Sequence, residues 1–192
     1  MTYRSPSPIY LGPVSFHGDR RGNRPIRRIV IHMTVSPCVP GGARATAAYF
    51  RSPAAGGSAH YVVDPGEVVQ AEYDSVVCYH DGVNTHELGV EMCGYPESNP
   101  VKAALNWAKP SYRQTLNKTA RLTAQLLLAE GLPVRFLKVE DLGYLAEGVT
   151  THANESLAFK RSTHWDPGVW PRRRFMRKVR KHVKRLRGGN HG

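Results

Sequence analysis

The sequence has 192 residues, 41% hydrophobic and 22% charged, which is the composition of a folded globular chain and excludes a largely disordered one. This length suits one domain with a sizeable core, and no apolar run is long enough for a transmembrane helix. The formal net charge of +12, taken alone, suggests an anionic partner such as nucleic acid.

Most of the excess charge lies in one C-terminal segment. Ten of the 27 Lys and Arg residues fall between Arg172 and Arg187, a stretch without Asp or Glu. The rest of the chain has 17 basic and 15 acidic residues, so its net charge is near +2. A milder cluster of five arginines lies between Arg20 and Arg28. The basic character therefore belongs mainly to an appendage and not to the body of the protein.

The cysteines and the N-terminus bear on where the chain is made. Cys38, Cys78 and Cys93 are odd in number and lack CxxC spacing, which argues against a disulfide framework or a cysteine-rich zinc site. Residues 1–13 contain no apolar core of a secretory signal. We therefore expect synthesis in a cytoplasm without a signal peptide, with release by another component if the substrate lies outside.

The first half of the chain predicts several strands and one short helix. We predict an extended lead-in over 1–25, a strand over Arg27 to Met33, a helix over Ala43 to Phe50, hairpin strands over Ser58 to Val63 and Glu67 to Tyr73, and a strand over Glu87 to Cys93. In the strand that ends at Met33, Ile29 and Ile31 face one side and His32 the other. In the last strand, Leu88 and Glu91 likewise face opposite sides.

The second half predicts two longer helices. We predict a helix from about Ser111, its N-cap, to Glu130, a strand over Val134 to Val139, a polar loop over Glu147 to Gly168, and a basic helix over Pro171 to Arg187. Strands mixed with helices indicate a single α/β domain with a mixed central β-sheet flanked by helices. We divide the chain into the lead-in 1–25, a main domain 26–171, and a basic helix and tail 172–192.

Polar side chains occur at three places where chemistry is possible. His32 ends an apolar strand, His152 lies in the polar loop, and His164 and Asp166 precede Pro167. Two imidazoles and a carboxylate with one open position are typical of a catalytic zinc site. Each residue alone also has a structural explanation, since a strand histidine is more often structural and His-x-Asp before Pro-Gly can form an Asx turn.

In this order the motifs resemble those of the zinc N-acetylmuramoyl-L-alanine amidases. This family shares its fold with peptidoglycan recognition proteins and amidase-type phage lysozymes. Three further segments resemble its Ser-Ala-His-aromatic strand, its aromatic-His-x-Gly loop and its Ile-Gly-Ile-Glu strand: Ser58 to Val63, Tyr79 to Gly82 and Leu88 to Gly94. The resemblance extends from about Arg28 to Trp170, and it implies a main domain that is catalytic, with a zinc cleft at one side.

The resemblance implies a role for each of these polar residues. It implies that His32, His152 and Asp166 bind Zn²⁺, so that no cysteine is needed as a ligand. It makes Glu91 the general base towards the attacking water and the proton donor to the leaving amine. It makes His164 a hydrogen-bond donor to the oxyanion of the tetrahedral intermediate.

Other readings of these residues stay open. The resemblance places His60 and His80 near the substrate, as contacts for its muramyl or peptide part, but a hydrogen-bonded structural role is equally compatible with either. Glu91 can be an exposed strand glutamate, and His164 a surface or ligand-supporting histidine. We expect the remaining histidines at the surface: His17, His86, His182 and His191.

The sequence departs from the family pattern at two points. His152 and Asp166 are 14 positions apart, more than in many relatives, because Glu155 to Arg161 extends the connection. Ala59 stands where some phage relatives carry a tyrosine, so we expect the glutamate-based variant of the mechanism.

The function implied is hydrolysis of the amide between N-acetylmuramic acid and L-alanine in bacterial peptidoglycan, by a monomeric bacteriophage endolysin. One alternative is a bacterial cytoplasmic amidase that recycles soluble muropeptides. Another is a non-catalytic module that binds peptidoglycan or nucleic acid.

The basic segment 172–187 has three interpretations. It can be a packed helix with a solvated cationic face, or an element that holds the enzyme on an anionic wall polymer or membrane surface. Nucleic-acid binding is the third, and no recognition motif supports it.

Overall fold

The computed structural model describes residues 8–188. Residues 1–7 and 189–192 lie outside the described part, and with them the start of the predicted lead-in, the end of the predicted tail and His191.

Short strands in the described part form two sheets. Numbered along the chain, they are β1 Ile9–Tyr10, β2 His17–Arg20, β3 Arg28–Met33, β4 Tyr61–Val63, β5 Val68–Gln70, β6 Val76–Cys78, β7 Glu87–Met92 and β8 Gly148–Thr151. The larger sheet has the order β1-β5-β4-β7-β3-β8, and β2 pairs with β6 separately. Its neighbours are parallel except β4 and β5, the predicted hairpin. Asp64 closes that hairpin by accepting hydrogen bonds from the backbone N–H groups of Gly66 and Glu67.

Helices cover both faces of this sheet. They are α1 Gly42–Phe50, α2 Pro100–Ala108, α3 Pro110–Ala129, α4 His152–Phe159 and α5 Arg172–Gly188. The side chain of Asn99 caps α2 by accepting hydrogen bonds from the N–H groups of Val101 and Lys102. None of the helices in residues 8–188 is long and apolar enough to cross a membrane.

The alternation of side chains along the parallel strands divides the domain into two halves. On one face, Ile29 and Ile31 of β3 and Leu88 of β7 pack with α3 and α5 in the larger core. On the other face, Val62 of β4 packs with α1 in a smaller core. His32 projects to this second face, because it alternates with Ile31 along β3.

The basic C-terminal helix is part of the larger core. Phe175, Met176, Val179 and Val183 are buried against α3 and the sheet. Lys178 Nζ donates a hydrogen bond to Asn117 Oδ1 of α3 at 3.0 Å. The interpretation of α5 as a packed helix is therefore confirmed, and most of its cations are exposed on the other side of the helix.

Several predicted elements are confirmed within a few residues. These are the first strand as β3, the first helix as α1, the hairpin as β4 and β5, the next strand as β7, the long helix as α3 and the basic helix as α5. The N-cap prediction for Ser111 is wrong, because Pro110 begins α3 and Lys109 occupies the cap position.

Other predictions for the secondary structure are wrong. Val134 to Val139 makes only an isolated bridge between Phe136 and Val149 before a short 3₁₀ turn, because β8 itself forms the edge strand there. The predicted loop over Glu147 to Gly168 contains β8 and α4, whose polar residues hide their regular structure. The lead-in contains two extended segments that the sequence did not predict to pair, since β1 and β2 both pair with later strands. The sequence reading also missed α2 and β6.

Candidate active site

A cleft lies where the parallel strands β3, β7 and β8 end. Its volume is about 1420 Å³, and its walls include His32 of β3, Glu91 of β7 and His152, the first residue after β8. His164 and Asp166 come to it from the segment between α4 and α5. Carboxyl ends of parallel strands are a usual place for a site, because side chains from several strands converge there.

Three of the predicted residues form a compact, buried group. His32 Nδ1 lies 3.1 Å from His152 Nδ1, and Asp166 Oδ1 lies 3.0 Å from the same His152 atom. Asp166 Oδ2 is 3.6 Å from His32 Nδ1. A tetrahedral ion with bonds of about 2.0–2.1 Å holds its ligand atoms about 3.3 Å apart, so these three side chains can hold a metal ion.

Hydrogen bonding at the outer nitrogens indicates which imidazole nitrogens are free. His32 Nε2 lies 3.1 Å from His80 Nδ1, and His152 Nε2 lies 3.0 Å from Ser162 Oγ. When both Nε2 atoms carry the proton and donate to these acceptors, both Nδ1 atoms present lone pairs. Two lone pairs and a carboxylate then face one another across about 3 Å. A cation is the partner that makes this arrangement favourable.

Electrostatics favour the same protonation states. Burial lowers the pKa of His32 to about 4, so its ring is neutral near pH 7. Burial alone would raise the pKa of Asp166, but the adjacent His152 and His32 side chains hold it below its usual range. Neutral imidazole and ionised carboxylate are the forms that bind metal.

Local structure fixes each member of the group. Thr151 caps α4 by accepting a hydrogen bond from Asn154 N–H, which sets the direction of His152 at the first position of the helix. The segment with Asp166 is held by two backbone contacts. Ala153 N–H donates to the Asp166 carbonyl at 2.9 Å, and Met33 N–H donates to Asp166 Oδ2 at 3.1 Å.

Glu91 faces the same cleft from the neighbouring strand. It is the register partner of His32, since β3 and β7 pair in parallel with these residues opposite each other. Its Oε2 atom is buried and has no hydrogen-bond partner within residues 8–188. Burial, together with the charge of Asp166, raises the pKa of Glu91 above its usual range. An unpartnered carboxylate with a raised pKa is suited to accepting and returning a proton.

His164 stands at the mouth of the cleft. Its ring stacks on His152, with centroids 4.8 Å apart, and its side chain is 69% exposed. His164 Nδ1 lies 3.9 Å from Asp166 Oδ1, beyond hydrogen-bond distance. The ring is therefore close to the group yet free to contact a ligand.

The structure separates the two histidines expected at the substrate. Of the two roles left open for His60, its position favours the structural one, because the ring is fully buried and does not line the cleft. His60 Nδ1 accepts a hydrogen bond from Gly89 N–H, and its Nε2 lies 3.0 Å from the Val76 carbonyl. His80 borders the cleft, but its side chain is only 1% exposed.

The sequence did not predict the structural contacts made by Ser162 and Arg21. Ser162 Oγ holds His152 Nε2, as described above. Arg21 is buried and donates to several backbone carbonyls, including those of Asp74, Val76 and Glu87. Nothing in a local pattern marks a serine or an arginine for these long-range contacts.

A buried acidic group around Arg28 was also missed. Arg28 Nε lies 2.6 Å from Glu87 Oε1 and 3.1 Å from Glu155 Oε1. Burial raises the pKa of Glu155 to about 8 and that of Glu87 well above its usual range. This group lies behind the cleft and supports the strands that form it.

The cysteines and the remaining histidines of residues 8–188 lie outside the cleft. The three cysteines are free and buried, and none lines the cleft. His17 is exposed, while His86 and His182 are half-buried.

Comparison with solved structures identifies the fold. The chain is similar to the Staphylococcus aureus hydrolase AmiA in complex with its ligand, with 17% identity over 96% of this chain and 87% of that chain and a TM-score of 0.70. A mutant endolysin from Bacillus subtilis gives 18% identity, 90% and 98% coverage and a TM-score of 0.58. A selenomethionine derivative of AmpD is 18% identical over 92% of this chain and 96% of that chain, with a TM-score of 0.60. At these identities the likeness shows a common fold.

Comparison with sequence families is more specific. A search of curated proteins gives no match. A family model described as N-acetylmuramoyl-L-alanine amidase matches residues 22–169, a range that contains every candidate residue from His32 to Asp166. Because this match covers well over half of the sequence, the chain belongs to the N-acetylmuramoyl-L-alanine amidase family.

Proposed function

We propose that this amidase is zinc-dependent and hydrolyses the amide that joins the lactyl group of N-acetylmuramic acid to L-alanine in peptidoglycan. One observation carries the proposal. His32, His152 and Asp166 form a metal-binding group in the cleft whose strands also present Glu91. The family match supplies the amide bond, and this geometry supplies residues able to cleave it.

The donor set suits zinc. Two neutral imidazole nitrogens and one carboxylate oxygen make three ligands, as in catalytic sites that keep a fourth position open. His32 and His152 would bind through Nδ1, and Asp166 through its carboxylate. Bound there, Zn²⁺ would supply Lewis acidity that polarises a carbonyl and lowers the pKa of water.

The protein side chains would handle the protons. Glu91 takes a proton from the water that attacks the amide carbonyl carbon, and returns it to the alanine nitrogen as the C–N bond breaks. The products are the free amine of the stem peptide and the lactyl carboxylic acid. His164, exposed beside His152, would donate a hydrogen bond to the oxyanion while the intermediate is tetrahedral.

The shape of the cleft favours a polymeric substrate and hence a wall-lytic endolysin, such as a phage uses to release its progeny. Its volume of about 1420 Å³ exceeds the usual range for small-ligand pockets. Exposed aromatic and aliphatic side chains border it on several sides: Val35, Val39, Tyr49, Tyr95 and Trp165. No Lys or Arg of residues 8–188 lines it, so its binding chemistry is separate from the basic helix.

The exposed face of α5 would hold the enzyme on an anionic wall polymer. Eight cations of the helix are exposed: Arg173, Arg174, Arg177, Arg180, Lys181, Lys184, Arg185 and Arg187. The apolar residues of α5 are buried in the core or, at Leu186, packed against it, so they are not available for insertion into a lipid bilayer. This favours electrostatic binding to a wall polymer over insertion into a membrane.

The test combines metal analysis with product detection. We expect about one zinc ion per chain and release of new amino groups from purified peptidoglycan, lost on chelation and restored by zinc. A preparation without zinc that chelators do not inhibit would exclude the zinc enzyme and favour a binding module. Clearing of intact sacculi faster than turnover of soluble muropeptides would support the endolysin, and the reverse would support the recycling enzyme.

A further inference from the structure

His80 occupies an enclosed position behind the metal-binding group. Its side chain is 1% exposed, and its ring meets that of His32 edge-on, with centroids 5.0 Å apart at 83°. Its Nδ1 lies 3.1 Å from His32 Nε2. A ring so enclosed is poorly placed for the substrate contact expected from the sequence.

The hydrogen bonds available to His32 indicate a different role for His80. If His32 binds a cation through Nδ1, its Nε2 carries the proton and requires an acceptor in a buried place. His80 Nδ1 is at the right distance. The same Nδ1 lies 3.2 Å from Asp81 Oδ2, to which a protonated Nδ1 would donate. His80 Nδ1 therefore accepts the hydrogen bond from His32 Nε2–H in the tautomer that carries its own proton on Nε2, an atom without a hydrogen-bond partner within the described residues.

The loop that carries His80 is tightly constrained. Asn84 Oδ1 accepts hydrogen bonds from the backbone N–H groups of His80 and Asp81, at 2.8 and 3.1 Å. Asn84 itself has a φ of 56°, a conformation that asparagine tolerates better than most residues. Its N–H donates to Glu87 Oε2 at 3.1 Å, which ties the loop to the start of β7. The backbone of His80 is thus held relative to the strand that carries Glu91.

Gly89 provides the space for the ring. It lies between Glu87 and Glu91 on the face of β7 that looks towards the cleft. A Cβ atom there would lie 2.8 Å from both Cδ2 and Cγ of His80, closer than side-chain contacts tolerate. Any larger residue would push the His80 ring away from its place beside His32.

We propose that His80 is a positioning residue that holds the ring of His32 and fixes its proton on Nε2, with Gly89 making the room it needs. The inference rests on the proposed metal site and deepens it. His80 acts through His32, so its loss changes metal affinity in the first place. Groups that hold a ligand histidine in this way typically affect metal affinity by 10–100-fold.

Two substitutions of His80 distinguish its role as a hydrogen-bond acceptor from a role in packing alone. In His80→Asn the amide oxygen can accept the hydrogen bond of His32 Nε2–H, whereas His80→Leu fills the space without an acceptor. Zinc affinity is measured for the folded proteins at one pH by competition with a chromophoric chelator. We expect the leucine variant to bind zinc about 10–100-fold more weakly than the parent protein, and the asparagine variant to recover most of the loss.

The outcomes are distinguishable. Parent protein that binds no zinc would contradict the proposed function itself. Parent protein that binds zinc, with a folded His80→Leu variant of equal affinity or with equal losses in both variants, would overturn the role of His80. If His80→Leu does not fold, Gly89→Ala decides, since it displaces the same ring. A roughly tenfold loss of zinc affinity supports the proposal, and unchanged affinity refutes it.

Discussion

His32 and Glu91 are direct partners in the register of the parallel strands β3 and β7, so both project from the same face of the sheet. Four residues earlier, Arg28 and Glu87 are partners on that same face and form a buried ion pair. A shift of one residue between the strands would turn one member of each pair to the opposite face. The buried pair therefore helps to keep the side chains of His32 and Glu91 together on that face.

Substitution of Glu91 by glutamine should separate metal binding from catalysis. Glutamine has nearly the same shape but cannot take a proton from water, so we expect kcat to fall by about 10²–10⁴-fold with zinc content unchanged. Release of amino groups from peptidoglycan measures the rate, and metal analysis measures the zinc. Glu97→Gln serves as a control on a neighbouring loop, and its activity should stay near that of the parent protein. Activity in Glu91→Gln equal to that of this control would remove Glu91 from the mechanism.

Zinc should stabilise the folded protein through the group of three ligands. A ligand that binds only the folded chain raises the free energy of unfolding by about 2.7 kcal/mol at 100 times its Kd, and we expect this rise for zinc. For a chain of this size that is a rise of roughly 5–10 °C in Tm. The rise should vanish in Asp166→Ala and persist in His164→Ala, because of these two residues only Asp166 belongs to the proposed ligand set. Thermal scans of the metal-free proteins with and without zinc test this, and a rise that survives in Asp166→Ala would contradict the ligand set.

The sequence predicts which polar side chains meet in the cleft better than it predicts the elements around them. The alternation of Ile29, Ile31 and His32 in one apolar strand suffices to place the imidazole opposite the core. Side-chain periodicity did not predict the helix α4 before Asp166, because this helix has little amphipathic character. Its start is set instead by the N-cap residue Thr151.

The roles of buried polar residues are harder to predict. His60 belongs to a motif that resembles a substrate-side strand, yet its ring lies beneath the loop that carries His80. Arg21 lies in a segment rich in arginine and glycine, yet it is buried. Its guanidinium donates hydrogen bonds to backbone carbonyls more than fifty residues away in the sequence. Such contacts depend on the tertiary arrangement, and no local pattern carries that information.

Removing charge from α5 should weaken attack on whole walls alone. Arg177, Arg180 and Lys184 are exposed at helical spacing, and their replacement by glutamine leaves the buried side of the helix intact. We expect weaker binding to walls that carry anionic polymer, most clearly at low salt, where charges are least screened. Turnover of a soluble muropeptide should not change.

A matched triple variant controls for the loss of charge in general. Arg20, Arg51 and Lys102 are exposed and lie outside α5, so their replacement by glutamine lowers the net charge equally. The control should bind walls like the parent protein. Equal weakening in both triple variants would show that net charge matters and that α5 is not a specific binding face. Unchanged binding in both would leave α5 with its packing role alone.

The apolar side of α5 is buried in the core, so deletion of residues 172–187 would remove core packing as well as positive charge. Phe175 is fully buried, with its ring 5.1 Å from that of Trp170, and it joins the core shared with α3. Truncation in Phe175→Ala should lower the free energy of unfolding by about 3–5 kcal/mol, because it removes a large apolar side chain and leaves a cavity. Leu105 on α2 is 64% exposed, and Leu105→Ala should change stability by less than about 1 kcal/mol. Denaturant unfolding gives the free energy of unfolding of both variants. Equal values would mean that the packing of Phe175 contributes little to the stability of the domain.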